Sequence, residues 1–240
     1  MTYALEVLNL RKSYDSFLLD NISFNVPTGS IMGFVGQNGA GKTTTIKSIM
    51  GLIDSDSGEV RAFGKTLHKN STRQGIGVVS DTSFYDPRWK VSDAEKVSSL
   101  FYENWDSNKF NSLLNNFNIA KSKKVSELSK GMGVKLMIAV AMSHNAKLLI
   151  LDEPTSGLDP VARDELCSIF MDYVKDGDKS ILFSTHITSD LDKVADYVTC
   201  IYGGRIMFSS PKDEVLQKHA AIGSLEDIVV SFSRRGGSHE

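Results

Sequence analysis

The sequence predicts an α/β fold with an N-terminal antiparallel β layer and an inserted α-helical subdomain. Short apolar runs alternate with helical patterns along most of the 240 residues, which is typical of a sheet covered by helices. Near the N-terminus, apolar segments follow one another with only turn residues between them, which indicates antiparallel strands. Residues 85 to about 145 contain no comparable strand pattern and are predicted to be helical.

Local patterns place each element. Strands of the antiparallel layer are predicted at 3–10, 18–26 and 58–63. Strands of the core are predicted near 31–35, 75–79, 148–152, 180–184 and 197–202. Helices of the insertion are predicted at 92–102, 107–117 and 129–143. A hairpin through Gly203-Gly204 joins 198–202 to 205–209, and helices follow at 211–219 and 224–232. Residues 1–232 are therefore expected to form one domain, and 233–240 a disordered tail.

The segment from Gly36 to Thr43 matches the phosphate-binding pattern G-x-x-x-x-G-K-[ST]. It follows an apolar strand and precedes a helical pattern, which is the context that the motif requires and that a ligand-free glycine turn would not need. Glycines allow successive N–H groups to face an anion, and the helix N-terminus adds its positive dipole end. Lys42 is expected to reach the outer phosphates, and the Thr43 hydroxyl to bind Mg²⁺. The core is therefore predicted to be a P-loop NTPase core.

The residues expected to hold ATP in this loop are Gly36, Gln37, Asn38, Gly39, Ala40, Gly41, Lys42, Thr43 and Thr44.

A second candidate site follows the apolar strand at 147–151, which ends in Asp152 and Glu153. Carboxylates at the C-terminal end of such a strand lie where ligands bind in open α/β sheets. Asp152 is expected to hold Mg²⁺ directly or through water, and Glu153 to polarise the attacking water. A pair of solvated acids is the alternative, and the preceding P-loop favours the functional interpretation.

Three further segments have ordinary explanations when each is taken alone. They are LSKGM at 128–132, SGLDP at 156–160 and STH at 184–186, and a helix cap, a turn and a surface histidine would account for them. Their order after the P-loop and the Asp-Glu pair is more specific. Together the motifs resemble those of the nucleotide-binding subunit of an ABC transporter, over about Leu5 to Pro211.

In that resemblance GQNGAGKTT matches Walker A, LLILDEP matches Walker B, SGLD matches the D-loop with Asp159, and STH supplies the switch histidine His186. The signature residues would be Ser129, Lys130, Gly131 and Met132, with Lys130 in place of a glycine. Tyr14 lies where the family stacks an aromatic ring on adenine, and it is expected to project from a loop before the strand at Phe17.

The resemblance implies that Glu153 and His186 are catalytic in ATP hydrolysis with Mg²⁺. It also implies that the signature residues close over ATP bound to a second copy, in a head-to-tail dimer. The expected partners are that second ATPase subunit and a transmembrane permease, with the chain lying on the cytoplasmic face of the membrane. The variant signature is similar to that of bacterial exporters of peptides, antibiotics and lipids, and export is therefore favoured over import.

Two positions depart from the family pattern. Asp81, after Ser80, stands where the family has glutamine, and it is a candidate Mg²⁺ ligand or else a solvent-facing loop residue. Lys135 stands where Gln-Arg is usual in the helix after the signature, and it is expected to affect packing only.

Composition narrows the class of protein. Hydrophobic residues make up 41% and charged residues 23%, and the net charge of −2 gives no electrostatic argument for nucleic-acid binding. Cys167 and Cys200 are widely spaced and are expected to be buried thiols. No leader pattern is found at the N-terminus, and every apolar run is shorter than the roughly 18 residues of a membrane span.

Aromatic residues concentrate at the start of the insertion, between Phe84 and Trp105. They are expected either to pack the insertion's own core or to line a groove for a helix of the membrane partner, with residues 81–90 as the candidate surface.

Two rival functions remain open at this level. One is a soluble ATPase that remodels an assembly, and the other is a regulatory module with negligible turnover, against which Glu153 and His186 argue. A GTPase is disfavoured because no N-K-x-D segment is found. The sequence does not distinguish a homodimer from a heterodimer, and it does not identify the transported substrate.

Overall fold

The computed structural model describes residues 2–68, 73–80 and 84–236, which form two β-sheets and eight α-helices. The strands are β1 Tyr3–Tyr14, β2 Phe17–Pro27, β3 Ile31–Val35, β4 Ser57–Ala62, β5 Lys65–Thr66, β6 Ile76–Ser80, β7 Leu148–Asp152, β8 Ser180–Thr185, β9 Tyr197–Tyr202 and β10 Arg205–Pro211. The helices are α1 Lys42–Ile49, α2 Val91–Phe101, α3 Ser107–Asn116, α4 Lys130–Ser143, α5 Pro160–Val174, α6 Thr188–Val194, α7 Lys212–Lys218 and α8 Leu225–Gly236. Within these described residues, no helix combines the length and apolarity that crossing a membrane requires. The predicted α/β architecture is confirmed.

The six-stranded sheet sets the positions of the functional loops. Its order is β10-β9-β3-β8-β7-β6, and all neighbours are parallel except the β9–β10 hairpin. Every residue of β3 and of β8 is buried, because helices and the second sheet cover both faces. The C-terminal ends of β3, β8 and β7 therefore lie side by side, with β8 in the middle.

The antiparallel sheet has the order β2-β1-β4-β5 and covers one face of the larger sheet. Strand β1 is four residues longer than the sequence predicts and ends at Tyr14, which pairs with Phe17 across a two-residue turn. The sequence hides this extension because a register shift follows Val7 and because Lys12, Ser13 and Tyr14 do not alternate between buried and exposed.

Helix α4 joins the insertion to the core. Val134 and Met137 pack into the cluster below the large sheet, whereas Leu136 and Val140 pack with Phe110 of α3. A helix with two apolar faces is expected where two layers share it. Helix α4 is consequently part of the hydrophobic core of both the insertion and the α/β core.

The aromatic residues of the insertion divide into two groups. Tyr85, Trp89, Tyr102 and Trp105 pack against its hydrophobic cluster. Phe84 and Phe101 remain exposed. Packing thus accounts for four of these six rings and leaves two at the surface.

The C-terminal helix differs from the prediction. Helix α8 extends to Gly236, four residues into the segment predicted as a tail. Phe232 packs 5.2 Å from Phe208 and 5.4 Å from His219 between ring centroids, and a helix anchored in this way is extended by one hydrogen bond for each further residue. Residues 237–240 lie outside the described residues.

Both cysteines are free and buried, as the sequence predicts. Burial raises the pKa of the Cys167 thiol to about 11 and that of Cys200 to about 12, so both are protonated at neutral pH.

The turn between β9 and β10 provides a test of how closely this hairpin packs against β2. Gly203 and Gly204 both have positive φ, of 51° and 73°. A methyl group on Gly203 would meet nothing within 4 Å, but one on Gly204 would lie 1.8 Å from the Leu18 carbonyl oxygen. We expect Gly203→Ala to lower the free energy of unfolding by about 1 kcal/mol through the left-handed backbone alone. Gly204→Ala should lower it by about 1–3 kcal/mol more through overpacking.

Urea unfolding of both variants measures the difference. Equal losses would mean that β2 and the turn do not approach each other as closely as described.

Candidate functional site

The loop at 36–41 connects β3 to α1 and wraps around a cavity of about 400 Å³. Gly41 is the N-cap of α1 with φ of 114°, a conformation that places the helix N-terminus toward this cavity and strongly favours glycine. The cavity is lined by Phe17, Asn38, Gly39, Gly41, Lys42, Thr43, Thr44 and Glu153. A glycine-rich loop, a helix N-terminus and a cation around one space suit a polyphosphate.

Lys42 is the buried cation of the site, with 5% of its surface exposed. Its Nζ donates to the Gly36 carbonyl at 2.6 Å and to the Gln37 carbonyl at 3.2 Å, and it lies 3.3 Å from Glu153 Oε1. An ammonium group has three donors, and these three contacts use all of them. A phosphate that binds Lys42 must therefore replace at least one contact.

Glu153 lies immediately after β7 and has a left-handed backbone with φ of 52°. Its N–H donates to the Ser184 carbonyl at 3.0 Å, and Pro154 follows. This conformation costs about 1–2 kcal/mol for a residue other than glycine. It turns the side chain back over the loop, where Oε1 meets Lys42 and Oε2 lies 2.8 Å from His186 Nδ1. Because a carboxylate only accepts, Nδ1 carries the proton in this contact.

A hydrogen bond that the sequence did not predict joins Ser184, near the end of β8, to Asp152, at the end of β7. Ser184 is fully buried in β8, and its hydroxyl donates to Asp152 Oδ1 at 3.1 Å. A serine directly after the apolar run Ile181-Leu182-Phe183 was the available signal. Ser184 thereby orients a carboxylate next to the P-loop.

Asp152 and the exposed Thr43 provide oxygen ligands of the kind that Mg²⁺ prefers. Within the segments that the structure describes, no cluster of three His, Cys, Asp or Glu could hold a metal by itself. Mg²⁺ commonly completes its shell with waters and substrate phosphates, and the residues present fit that mode. Asp81, the further candidate ligand, lies outside the described residues.

The aromatic residues near the cavity, Tyr14 and Phe17, are placed differently from the prediction. Tyr14 is at the end of a strand, where the sequence predicts a loop, and it is 49% exposed with Lys12 Nζ 5.5 Å from its ring centroid. Tyr14 does not line the cavity, whereas its strand partner Phe17 does. A methyl group on Gly41 would lie 3.0 Å from Phe17 Cζ, so the Phe17 ring borders the P-loop. Residues paired across antiparallel strands project from the same face, so Tyr14 and Phe17 lie on one face of the β1–β2 hairpin.

The signature and D-loop residues lie together, but they do not line the cavity of their own chain. Ser129 caps α4 by accepting from the Met132 N–H at 3.3 Å. Asp159 caps α5: its Oδ1 accepts from the N–H groups of Val161 and Ala162 at 3.0 Å each. A methyl group on Gly131 would lie 3.6 Å from the Leu158 side chain, so the two helix starts are neighbours. Ser129, Lys130 and Asp159 are exposed to solvent.

Lys135, expected to affect packing only, contacts a second helix through an ion pair. Its Nζ lies 2.5 Å from Glu165 Oε2 on α5 and 5.9 Å from the Phe117 ring centroid. Glu165 is 30 residues away along the chain, which explains why local sequence patterns do not reveal the ion pair. Lys135 links the signature helix to the D-loop helix.

Comparison with known proteins gives consistent matches. The sequence profile described as ABC transporter matches residues 19–156. The chain is 32% identical over 212 residues to the lantibiotic transport ATP-binding protein SrtF of Streptococcus pyogenes, covering 87% of this chain and 91% of that protein. It is 31% identical over 224 residues to the bacitracin transport ATP-binding protein BcrA of Bacillus licheniformis, covering 91% and 73%.

Among solved structures, one described as the ATP-binding subunit of an ABC transporter aligns with a TM-score of 0.85 at 27% identity. The alignment covers 96% of this chain and 99% of that one.

Tyr14 and Phe17 lead to a prediction about ATP affinity. We expect Tyr14→Ala to weaken ATP binding by about 1–3 kcal/mol, because a base stacked on an aromatic ring contributes that much. Tyr14→Phe should bind as the parent does, because it keeps the π face. Phe17→Ala should also weaken binding, because it removes the ring that borders Gly41.

Calorimetric titration with ATP measures all three variants, and Tyr3→Ala at the other end of β1 is the control. Equal losses in Tyr14→Ala and Tyr14→Phe would assign the effect to the hydroxyl group and contradict stacking.

Proposed function

Because this chain belongs to the ABC transporter family as an ATP-binding subunit, we propose that it hydrolyses ATP to power transport through a separately encoded permease. The observation that carries the proposal is the Glu153 carboxylate, which contacts Lys42 with one oxygen and His186 with the other. A module that only binds nucleotide needs Lys42 but has no use for a carboxylate held in a strained backbone beside it.

In the proposed reaction, the phosphates of ATP take over the Lys42 ammonium group from Glu153. Glu153 then accepts a proton from the attacking water as the general base. His186 donates from Nδ1 to Glu153, and a contact with the transferred phosphate would need a second ring proton on Nε2. Thr43 and Asp152 would hold Mg²⁺, which neutralises charge on the phosphates when it is bound.

We also propose a head-to-tail dimer. Ser129, Lys130, Gly131 and Met132 of one copy would close over ATP on the P-loop of the other, with Asp159 at the contact. This assignment is supported by the exposure of Ser129, Lys130 and Asp159 and by their absence from the lining of their own chain's cavity. ATP would favour the closed dimer and hydrolysis would let it open, which is a ligand-controlled equilibrium between two states.

The proposed partner is a permease, and the proposed direction is export. The relatives' names, lantibiotic and bacitracin transport ATP-binding proteins, support this class of transport. Phe84, Leu100 and Phe101 are 61%, 85% and 71% exposed on the insertion, and large exposed apolar side chains of this kind would suit a protein contact. The chain would then lie on the cytoplasmic face of the membrane, as one ATPase domain that includes α8 to its end at Gly236.

Substitution of Glu153 separates ATP binding from hydrolysis. Glu153→Gln keeps the shape and one accepting oxygen but removes the general base, and we expect turnover to fall by at least about 100-fold. ATP should still bind and should accumulate a closed dimer, which light scattering with Mg-ATP detects. Lys42→Ala should lose binding as well, because its charge-assisted contacts to phosphate are lost.

Glu214→Gln, an exposed glutamate in the first turn of α7, is the matched control and should behave as the parent. A monomeric Glu153→Gln variant with parental turnover would contradict the assignment.

The apolar surface of the insertion gives a second test. We expect Leu100→Ser with Phe101→Ser to keep ATP hydrolysis in the purified subunit and to lose co-purification with the permease, because both side chains are exposed in the free subunit. Met171→Ser on α5, which replaces an apolar residue of 44% exposure outside the insertion, is the control. Undiminished co-purification of the double variant would place the permease contact elsewhere.

A further inference from the structure

An ion pair joins the first turn of α5 to the first turn of α6, with its carboxylate buried and its guanidinium 24% exposed. Arg163 donates to Asp190 Oδ1 from Nε at 3.1 Å and from Nη2 at 2.5 Å. Nη2 also donates to Ser189 Oγ at 3.1 Å. The Asp190 side chain is 3% exposed, and its Oδ2 finds no hydrogen-bond partner among the described residues. Arg163 is therefore the charged partner of the Asp190 carboxylate.

Stability alone is a weak reason to have this pair. Burying two charges has a desolvation cost that often exceeds their attraction, and a buried carboxylate oxygen without a partner adds to that cost. The same two helices are already joined by Asp164 and Lys193, whose Oδ1 and Nζ are 2.6 Å apart. That second pair is 65% and 53% exposed, so solvent screens it. The two pairs differ in burial while joining the same elements.

The pair of Arg163 and Asp190 lies between two functional loops. Helix α5 begins directly after Asp159. Helix α6 begins at Thr188, two residues after His186, and the intervening Ile187 donates its N–H to Thr185 Oγ1 at 3.0 Å. His186 in turn contacts Glu153. Contacts therefore run without interruption from the D-loop cap, through α5, Arg163, Asp190 and α6, to the carboxylate beside the P-loop.

We propose that Arg163 is a positioning residue that couples the D-loop of a subunit to its own switch histidine. When a second copy engages the loop at Asp159, the displacement of α5 is transmitted through Arg163 to α6 and sets the contact between His186 and Glu153. Arginine suits this role because its planar fork holds Asp190 and Ser189 together, which a lysine ammonium group does not reproduce in the same geometry. The inference rests on the proposed ATPase function and adds a connection within it.

Steady-state ATP hydrolysis by the full-length chain tests the coupling. In Arg163→Gln and in Asp190→Asn we expect kcat to fall by about three- to thirtyfold, the range for residues that couple sites without touching the ligand. KM for ATP should stay within about twofold, because no ATP contact is lost. In a His186→Ala background, Arg163→Gln should cause no further loss of kcat, because the side chain that Arg163 is proposed to position is already absent. Lys193→Gln, in the exposed pair on the same helices, is the matched control and should retain parental kcat.

A lower kcat is also the result of poor folding, and a third variant separates the two causes. Arg163→Met with Asp190→Leu replaces the ion pair by apolar groups, which often preserves stability. If this variant unfolds at the parental urea concentration but keeps the low kcat, the positioning role is supported. If kcat returns to the parental value with stability, Arg163 is a folding contact only and the inference is overturned.

Two further outcomes also decide the matter. Equal additional losses from Arg163→Gln in the parent and in His186→Ala would overturn the coupling while leaving the ATPase function intact. A parent chain that fails to hydrolyse ATP at all would overturn the proposed function, and the inference with it.

Discussion

The buried ammonium group of Lys42 is the interaction on which the rest of the site depends. A cation with 5% exposure needs acceptors on every side, and it finds them in two P-loop carbonyls and in Glu153. Glu153 comes from β7, which is separated from β3 by β8 and therefore lies roughly 10 Å away in the sheet. Only long side chains span that gap. The intervening strand supplies His186, so the strand order itself determines which three loops converge.

Coupling between the layers follows from shared helices. Helix α4 belongs to the hydrophobic clusters of the core and of the insertion at once, so the signature cannot move as an isolated loop. Helix α5 is tied to α4 by Glu165 and to α6 by Arg163. The segments at Ser129, Asp159 and His186 precede α4, α5 and α6. Rigid elements with a few buried ties transmit small displacements better than loops do, because packed interiors deform little.

The sequence predicts the parts of this structure that local patterns specify. Strands β3, β7 and β8 are apolar runs, and their predicted limits agree with the observed ones to within one residue. The P-loop and the Asp-Glu pair were recognisable because their spacing reflects backbone geometry. The roles of Phe17, Ser184, Arg163 and Lys135 were not predicted, because each depends on a partner that the fold brings from far along the chain. Arg163 and Asp190 are 27 residues apart, and no sequence pattern near either residue indicates that the two are in contact. The catalytic and nucleotide-binding roles assigned to the motif residues remain predictions.

The hairpin turn behind the P-loop has a consequence for the thermodynamics of binding. The N–H of Gly204 donates to the Ala40 carbonyl at 3.0 Å, and the carbonyl of Gly204 accepts from the Asp20 N–H at 2.8 Å. One residue thus connects the phosphate loop to the antiparallel sheet. The loop is preorganised before any ligand arrives, so little conformational entropy is lost in ordering its backbone on association. The free energy of the phosphate contacts is then available for affinity and for closing the assembly.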